Sequence, residues 1–358
     1  MRDVIHHTVI PTRIIEDLNI VFDDNNKRIA SVSVPISTYE TPLFASIQRG
    51  AKITKTHPIS VVILNDCMTR SAIFQCKNIN CIKSFLELIN SKQSQQQMEK
   101  IINKTSNHCK LLKVESQIVG NLVYVRFSFN TSDAAGHNIT TITTNEIAKN
   151  FIKIANKNNL SVKYLSNSGN ICVDKKNSAI NSISGRGKHI VAEIQISKKI
   201  CKEILHTTCE KIVELNTKKN LLGSILAGSL CSANAHFANM LAGIFLPLGQ
   251  DVANIVEGSQ GITYCELNGE NLYFSVNLPN IICGCVGNGK DIDFVKKNLQ
   301  TIGCLDKNFK PIKNASKRLA EIIGATVLCG ELSLLAALSN EDELVKSHTI
   351  LERKKHNN

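Results

Sequence analysis

Two stretches decide the fold: Asn78-Ile-Asn-Cys-Ile-Lys-Ser-Phe-Leu-Glu-Leu-Ile-Asn90 and Leu122-Val-Tyr-Val-Arg-Phe-Ser-Phe129. The first spaces its apolar residues for an amphipathic helix, and the second is a β-branched and aromatic run that reads as a strand. Leu111–Gln117 and Ser161–Leu165 read as further strands and Asn145–Lys157 as a second helix. Helices and strands interleaved in this way predict a small α+β sandwich over 72–165, inserted in a larger unit made of 1–71 and 166–358.

The larger unit has a different texture. Residues 27–35 and 188–196 alternate with period two and read as strands, as do Ser60–Leu64, Ile262–Glu266 and Leu272–Leu278. Thr38–Gly50, Ser197–Asn216, Leu221–Leu248, Asp291–Ile302 and Ala315–Leu338 read as helices, and Glu341–Lys355 as a charged helix with a basic tail. Leu221–Leu248 is read as the most apolar stretch and is long enough to span a bilayer. Its Ser224, Ser229, Ser232, Asn234, His236 and Asn239 predict a closely packed helix of a soluble protein instead.

At 358 residues and 43% hydrophobic, the chain can bury sizeable cores, aliphatic ones since Trp is absent. The net charge of +12 suits nucleic acid or an anionic small ligand. Because Lys is spread through the chain rather than gathered in a stripe, no nucleic-acid partner is expected. The 13 cysteines lack zinc spacing, with Cys283 and Cys285 standing alone, and the start carries no signal peptide. Reduced thiols, no metal and a cytoplasmic location follow as expectations.

Several short motifs carry chemistry. Gly284-Cys-Val-Gly-Asn-Gly-Lys290-Asp291 falls one residue short of a P-loop: Asp291 lacks the hydroxyl that would ligate magnesium and would repel phosphate. Its glycine turn still allows close backbone approach to a nucleotide. Gly185-Arg-Gly187 and Gly287-Asn-Gly289 lack the third glycine of a dinucleotide fingerprint, since Ile190 and Ile292 stand there. Asp174-Lys175-Lys176 places a lysine beside a carboxylate, which suits it to stabilise charge growing on a carbonyl oxygen. Taken alone, that tripeptide reads first as a solvated charged turn.

In chain order these and other segments resemble the 3-hydroxy-3-methylglutaryl-coenzyme A reductase family, of soluble prokaryotic type. The strings are Glu40-Thr-Pro-Leu-Phe-Ala-Ser46-Ile-Gln-Arg49-Gly50, Met68-Thr-Arg70, Asp133-Ala-Ala-Gly-His-Asn138, Asp174-Lys-Lys-Asn-Ser-Ala-Ile-Asn181 and Gly185-Arg-Gly187. They continue with Ala227-Gly-Ser229, Asn234-Ala-His-Phe-Ala-Asn239, Gly249-Gln-Asp251, Gly330-Glu-Leu-Ser-Leu-Leu-Ala-Ala-Leu338 and Leu344-Val-Lys-Ser-His348. The usual N-terminal helical portion has no counterpart in the sequence.

The resemblance implies a large α/β catalytic domain carrying a ferredoxin-like insert that binds the cofactor. It implies reduction of the thioester through hemithioacetal and aldehyde to mevalonate, with NADPH as reductant and NADH possible, in a homodimer or multiple of dimers. Lys175 would hold the carbonyl oxygen, Glu40 would donate a proton, Asp251 would tune both and His348 would protonate the coenzyme A thiolate. Arg70, Ser168, Asp174, Lys176, Lys219 and Asn239 would contact the substrate. Asp133, Gly136, Asn138, Asn170, Gly287, Asn288 and Gly289 would line the cofactor side. The alternative is a non-catalytic relative that keeps the fold and the ligand pocket only.

Overall fold

The structure, a computed structural model, describes residues 8–23 and 28–340 together with Glu343, Val345 and Thr349. Its strands are β1 (Thr12–Val21), β2 (Ile29–Ser37), β3 (Ile59–Cys76), β4 (Lys110–Val119), β5 (Leu122–Asn130), β6 (Val162–Ser166), β7 (Gly187–Ile196), β8 (Ile262–Asn268) and β9 (Asn271–Ile281). One path through the sheet runs β2-β1-β3-β7-β9-β8. β5 and β6 also flank β3, and β4 pairs with β5.

The hinge between the two regions is β3. Its first half pairs with β7 from Ser60↔Glu193 to Cys67↔Gly187. Its second half pairs with β5 from Met68↔Phe129 to Gln75↔Leu122, and with β6. The expected strand Ser60–Leu64 is therefore the start of one 18-residue strand that runs straight through the expected boundary at 71/72. Around its second half the order is β-α-α-β-β-α-β, with helices Ile79–Asn90, Lys92–Thr105 and His137–Lys157; the second of these was not expected from the sequence. Those elements share a core of their own, built on Phe74, Phe85, Phe127, Phe129 and Phe151. A separate aliphatic core fills the rest of the molecule.

Ala315–Leu338 is the central helix of that second core. Among the described residues it alone is long and apolar enough to cross a membrane, yet 94% of its apolar window is buried inside the protein. It is a core helix, hydrophobic all round because strands and helices surround it. The expectation for Leu221–Leu248 needs correction. That stretch is not one helix: a π-helix ends at Gly223, a short turn covers Ser224–Leu226, and a regular helix begins only at Phe237. Its polar residues break it by bonding backbone. The Asn234 side chain donates to the Ser259 and Gly261 carbonyls, and its Oδ1 accepts from the Phe237 N–H.

Candidate functional site

Residues 170–175 form a tightly held loop. Asn170, Val173 and Lys175 all have positive φ, at 57°, 43° and 55°. For a β-branched Val this is a strained conformation that surrounding bonds must enforce. Arg186 supplies most of them. Its side chain, 1% exposed, donates from Nε to the Cys172 carbonyl at 3.0 Å, from Nη2 to Asp174 Oδ1 at 2.8 Å and from Nη1 to Glu257 Oε1 at 3.3 Å. Thr69 Oγ1 also donates to the Cys172 carbonyl, and Asn181 Nδ2 to that of Val173.

Glu257 receives the Lys175 N–H at 3.1 Å and the Asn254 amide at 2.9 Å. Burial pushes its carboxyl above the usual range, against the pull of Arg186 and these donors. Burial likewise lowers Arg186, against Asp174 and Glu257. Both shifts say that desolvation outweighs the pair, as expected for a buried ion pair.

The loop presents Lys175 to Asp251, Nζ to Oδ2 at 2.7 Å, on a half-exposed surface. Burial raises the Asp251 pKa, but Lys175 and the Ala253 N–H outweigh it and the net direction is down. Asp251 remains a carboxylate and fixes the ammonium in place. Arg70 stands 3.8 Å from the other oxygen of Asp174 and donates Nε to the Asn167 carbonyl. Lys176 is exposed, its Nζ on the Asp174 carbonyl. Ser168 and Asn170 sit in the turns leading into the loop, with Ser168 tied through its backbone to the Ser166 hydroxyl.

Beside Asp251 opens a pocket of about 300 Å³, lined by residues 134–139, 249–251, 286–288, Asn254, Ile282 and Lys290. Glycines shape its wall. Gly136 begins the His137–Lys157 helix at φ +96°, where a Cβ would crowd Thr131 at 2.7 Å. Gly287, at φ +99°, faces open space, and beyond the wall Gly284 lets the segment after β9 abut the 133–135 backbone. Gly287, Asn288 and Gly136–Asn138 thus meet in one cavity. Gly289 adjoins it beside the Gly249 carbonyl, which also takes the buried Lys290 ammonium. That engagement removes Lys290 from any P-loop role. Asp133 adjoins this segment, its Oδ1 accepting the Ser316 N–H at 2.9 Å and its backbone carbonyl the Cys285 N–H at 2.8 Å.

His137, although inside the quoted Asp133–Asn138 motif, had no role assigned by sequence. It lines the pocket, its Nε2 is buried without a hydrogen-bond partner, and it stands 3.8 Å from Asp174 Oδ1. Burial, then Arg186, lowers its pKa, with Asp174 opposing. Arg186 was quoted as a turn residue without a task, and Glu257 carried no signal beyond being an acid near Asp251.

Glu40 belongs to a second cluster. It precedes the Thr41–Ile53 helix, with Pro42 in the first turn, and its Oε2 accepts the Asn239 amide at 3.1 Å. Asn239 neighbours His236, and the buried Glu331 accepts the Ala235 and His236 N–H groups. Lys219, on the π-helix Asn216–Gly223, has a pKa lowered by burial and pulled up by Glu331. Among the described residues no hydrogen bond or ion pair joins this second cluster to the Lys175–Asp251 pair. His348 lies outside the described residues. No group of three or more His, Cys, Asp or Glu is placed to hold a metal among the described residues.

A cation fixed by a carboxylate beside a glycine-lined pocket suits a reaction in which negative charge grows on a substrate oxygen. A family model described as hydroxymethylglutaryl-coenzyme A reductase matches residues 3–353. The 3-hydroxy-3-methylglutaryl-coenzyme A reductase of Pyrococcus abyssi is 41% identical over 322 residues, 89% of this chain and 77% of its own. That of Methanocaldococcus jannaschii is 42% identical over 323 residues, with the same coverage. A class II reductase structure from Streptococcus pneumoniae, bound to NADPH, superposes with a TM-score of 0.71 over 95% of this chain and 78% of that one; at 15% identity it speaks for the fold. The chain belongs to the hydroxymethylglutaryl-coenzyme A reductase family.

Proposed function

We propose that this enzyme reduces 3-hydroxy-3-methylglutaryl-coenzyme A to mevalonate and coenzyme A, consuming two NADPH and two protons. The observation that carries the reading is the Lys175–Asp251 pair at 2.7 Å beside the glycine-walled pocket. NADPH fits that pocket: Gly287 leaves room over its backbone, and the unpartnered His137 Nε2 awaits a polar neighbour. When bound, the reduced nicotinamide supplies the hydrides, and NADH would supply the same chemistry. The cofactor side comprises Asp133, Gly136, Asn138, Asn170 and Gly287–Gly289.

The chain's own residues do the rest. Lys175 offers a fixed cation to the oxygen on which negative charge grows. Glu40 delivers a proton, Asp251 keeps the lysine in place, and His348 protonates the departing thiolate. Arg70, Ser168, Asp174, Lys176, Lys219 and Asn239 hold the acyl group, whose anionic carboxylate suits three cations. Residues 72–165 form the inserted cofactor-binding unit, and 1–71 with 166–358 the catalytic one. We further read the protein as cytoplasmic and as a homodimer or a multiple of dimers. Exposed Leu222, Ile225, Leu226 and Leu230 support the dimer.

The test is cofactor oxidation with 3-hydroxy-3-methylglutaryl-coenzyme A, using NADPH and NADH in parallel, for wild type and Lys175→Ala. NADPH-dependent turnover, lost by about 10²-fold or more in the variant, is expected. Substrate-induced thermal stabilisation without turnover, in correctly assembled protein, would replace this reading with that of a non-catalytic relative.

A further inference from the structure

We propose that His236 is a positioning residue for Glu40, setting which end of the Asn239 amide faces that carboxylate. The inference rests on the reading of Glu40 as proton donor. His236 Nε2 lies 2.9 Å from the Gly330 carbonyl oxygen. A carbonyl oxygen only accepts, so Nε2 carries the proton, and the neutral ring has its lone pair on Nδ1. Asn239 Nδ2 stands 3.5 Å from that Nδ1 and 3.1 Å from Glu40 Oε2. The NH2 end of the amide, with two hydrogens, satisfies both acceptors. The reversed amide would set an oxygen against a ring lone pair and a carboxylate together.

The ring is itself well held. Glu331, fully buried, accepts the His236 N–H at 3.1 Å, the Ala235 N–H at 2.5 Å and the Thr263 hydroxyl at 2.7 Å. The charged groups facing the relay are Glu40 on one side and Glu331 on the other, with Lys219 in electrostatic reach of Glu331. The Gly330 carbonyl thus fixes a tautomer, the tautomer fixes an amide, and the amide holds a donor on Glu40. Without that donor the Glu40 carboxylate loses the bond that orients it for proton delivery.

Two substitutions separate positioning from mere packing. His236→Asn puts a carbonyl oxygen near the place of Nδ1 but cannot reach Gly330. His236→Gln can still donate to Gly330 but leaves nothing facing Asn239 to accept. We expect His236→Gln to lower kcat about tenfold while leaving cofactor KM unchanged. His236→Asn should restore most of the lost kcat. The opposite ranking, with the Gln variant like wild type, overturns the proposal. Independently of any variant, nitrogen NMR of the wild-type imidazole should show the Nε2–H tautomer, and an Nδ1–H tautomer overturns it as well. Full turnover in Glu40→Gln would instead sink the reading of Glu40 itself.

Discussion

At the scale of single residues, Arg186 holds the site together through Asp174, one of the residues proposed to hold the acyl group. It cross-links Cys172, Asp174 and Glu257, and all three lie within or directly beneath the strained loop. Arg186→Met should cost about 3–5 kcal/mol in a urea titration, because it leaves the buried Glu257 without a cation. Glu257→Gln should cost less, since Asp174 still pairs the guanidinium and the amide oxygen still accepts the Lys175 N–H. Equal costs for the two would show that the loop does not depend on the guanidinium. His137 provides the pH test. Burial, the largest cause, and Arg186 hold its pKa below the ordinary 6.5 in the folded protein. The unfolded chain therefore takes up the proton first. Full stability is present above pH 6.5 and is lost as pH falls from there through the lower, folded value. His137→Met should flatten that part of the stability–pH curve, as followed by urea midpoints on both sides of 6.5.

At the scale of elements, the helix Thr41–Ile53 is placed by one close approach. A Cβ on Gly50 would collide with the backbone carbonyl of Cys329 in the central helix, where nothing flexible can yield. Gly50→Ala should destabilise by about 1–3 kcal/mol and lower the melting temperature. It should also reduce turnover, because the same helix carries Glu40 at its start. Unchanged melting would mean that the two helices can slide apart freely. This scale also shows what the chain declared and what it concealed. Most of the elements over 72–165 were legible because their apolar periods switch between 3.6 and 2, but the polar helix Lys92–Thr105, with few apolar residues to mark its period, was not. The Gly-Arg-Gly turn and the Asp-Lys-Lys loop were visible as strings. Their meeting through Arg186 was not, because an ion pair between residues 71 positions apart, such as Arg186–Glu257, leaves no local pattern. The segment 221–248 misled because apolarity was read as helix, while Asn234 and its neighbours were already spending their amides on loop backbone. β3 concealed its length because its middle, Asn65-Asp66-Cys67, is polar where the two regions join.

At the scale of the whole molecule, the two clusters pose a geometric question. Glu40 with Asn239 and Lys175 with Asp251 are each well formed, yet no bond joins them among the described residues. Apolar side chains also stand exposed on the surface: Leu226 is 88% exposed, Ile225 73% and Ile183 84%. Gln260 bridges the segments near them, donating to the carbonyls of Ser178 and Leu230 at 3.3 and 3.1 Å. The homodimer proposed above would cover this apolar patch. Leu226→Asp places a charge on the most exposed of the three. Sedimentation should show wild type as a dimer or larger and the variant as a monomer of unchanged helicity. If turnover needs the second copy, the monomer loses it, and mixing in a Lys175→Ala partner that retains Leu226 does not restore it unless heterodimers form. A wild-type monomer with full turnover would instead require the two clusters to close on each other within one chain, and the apolar patch would need another occupant.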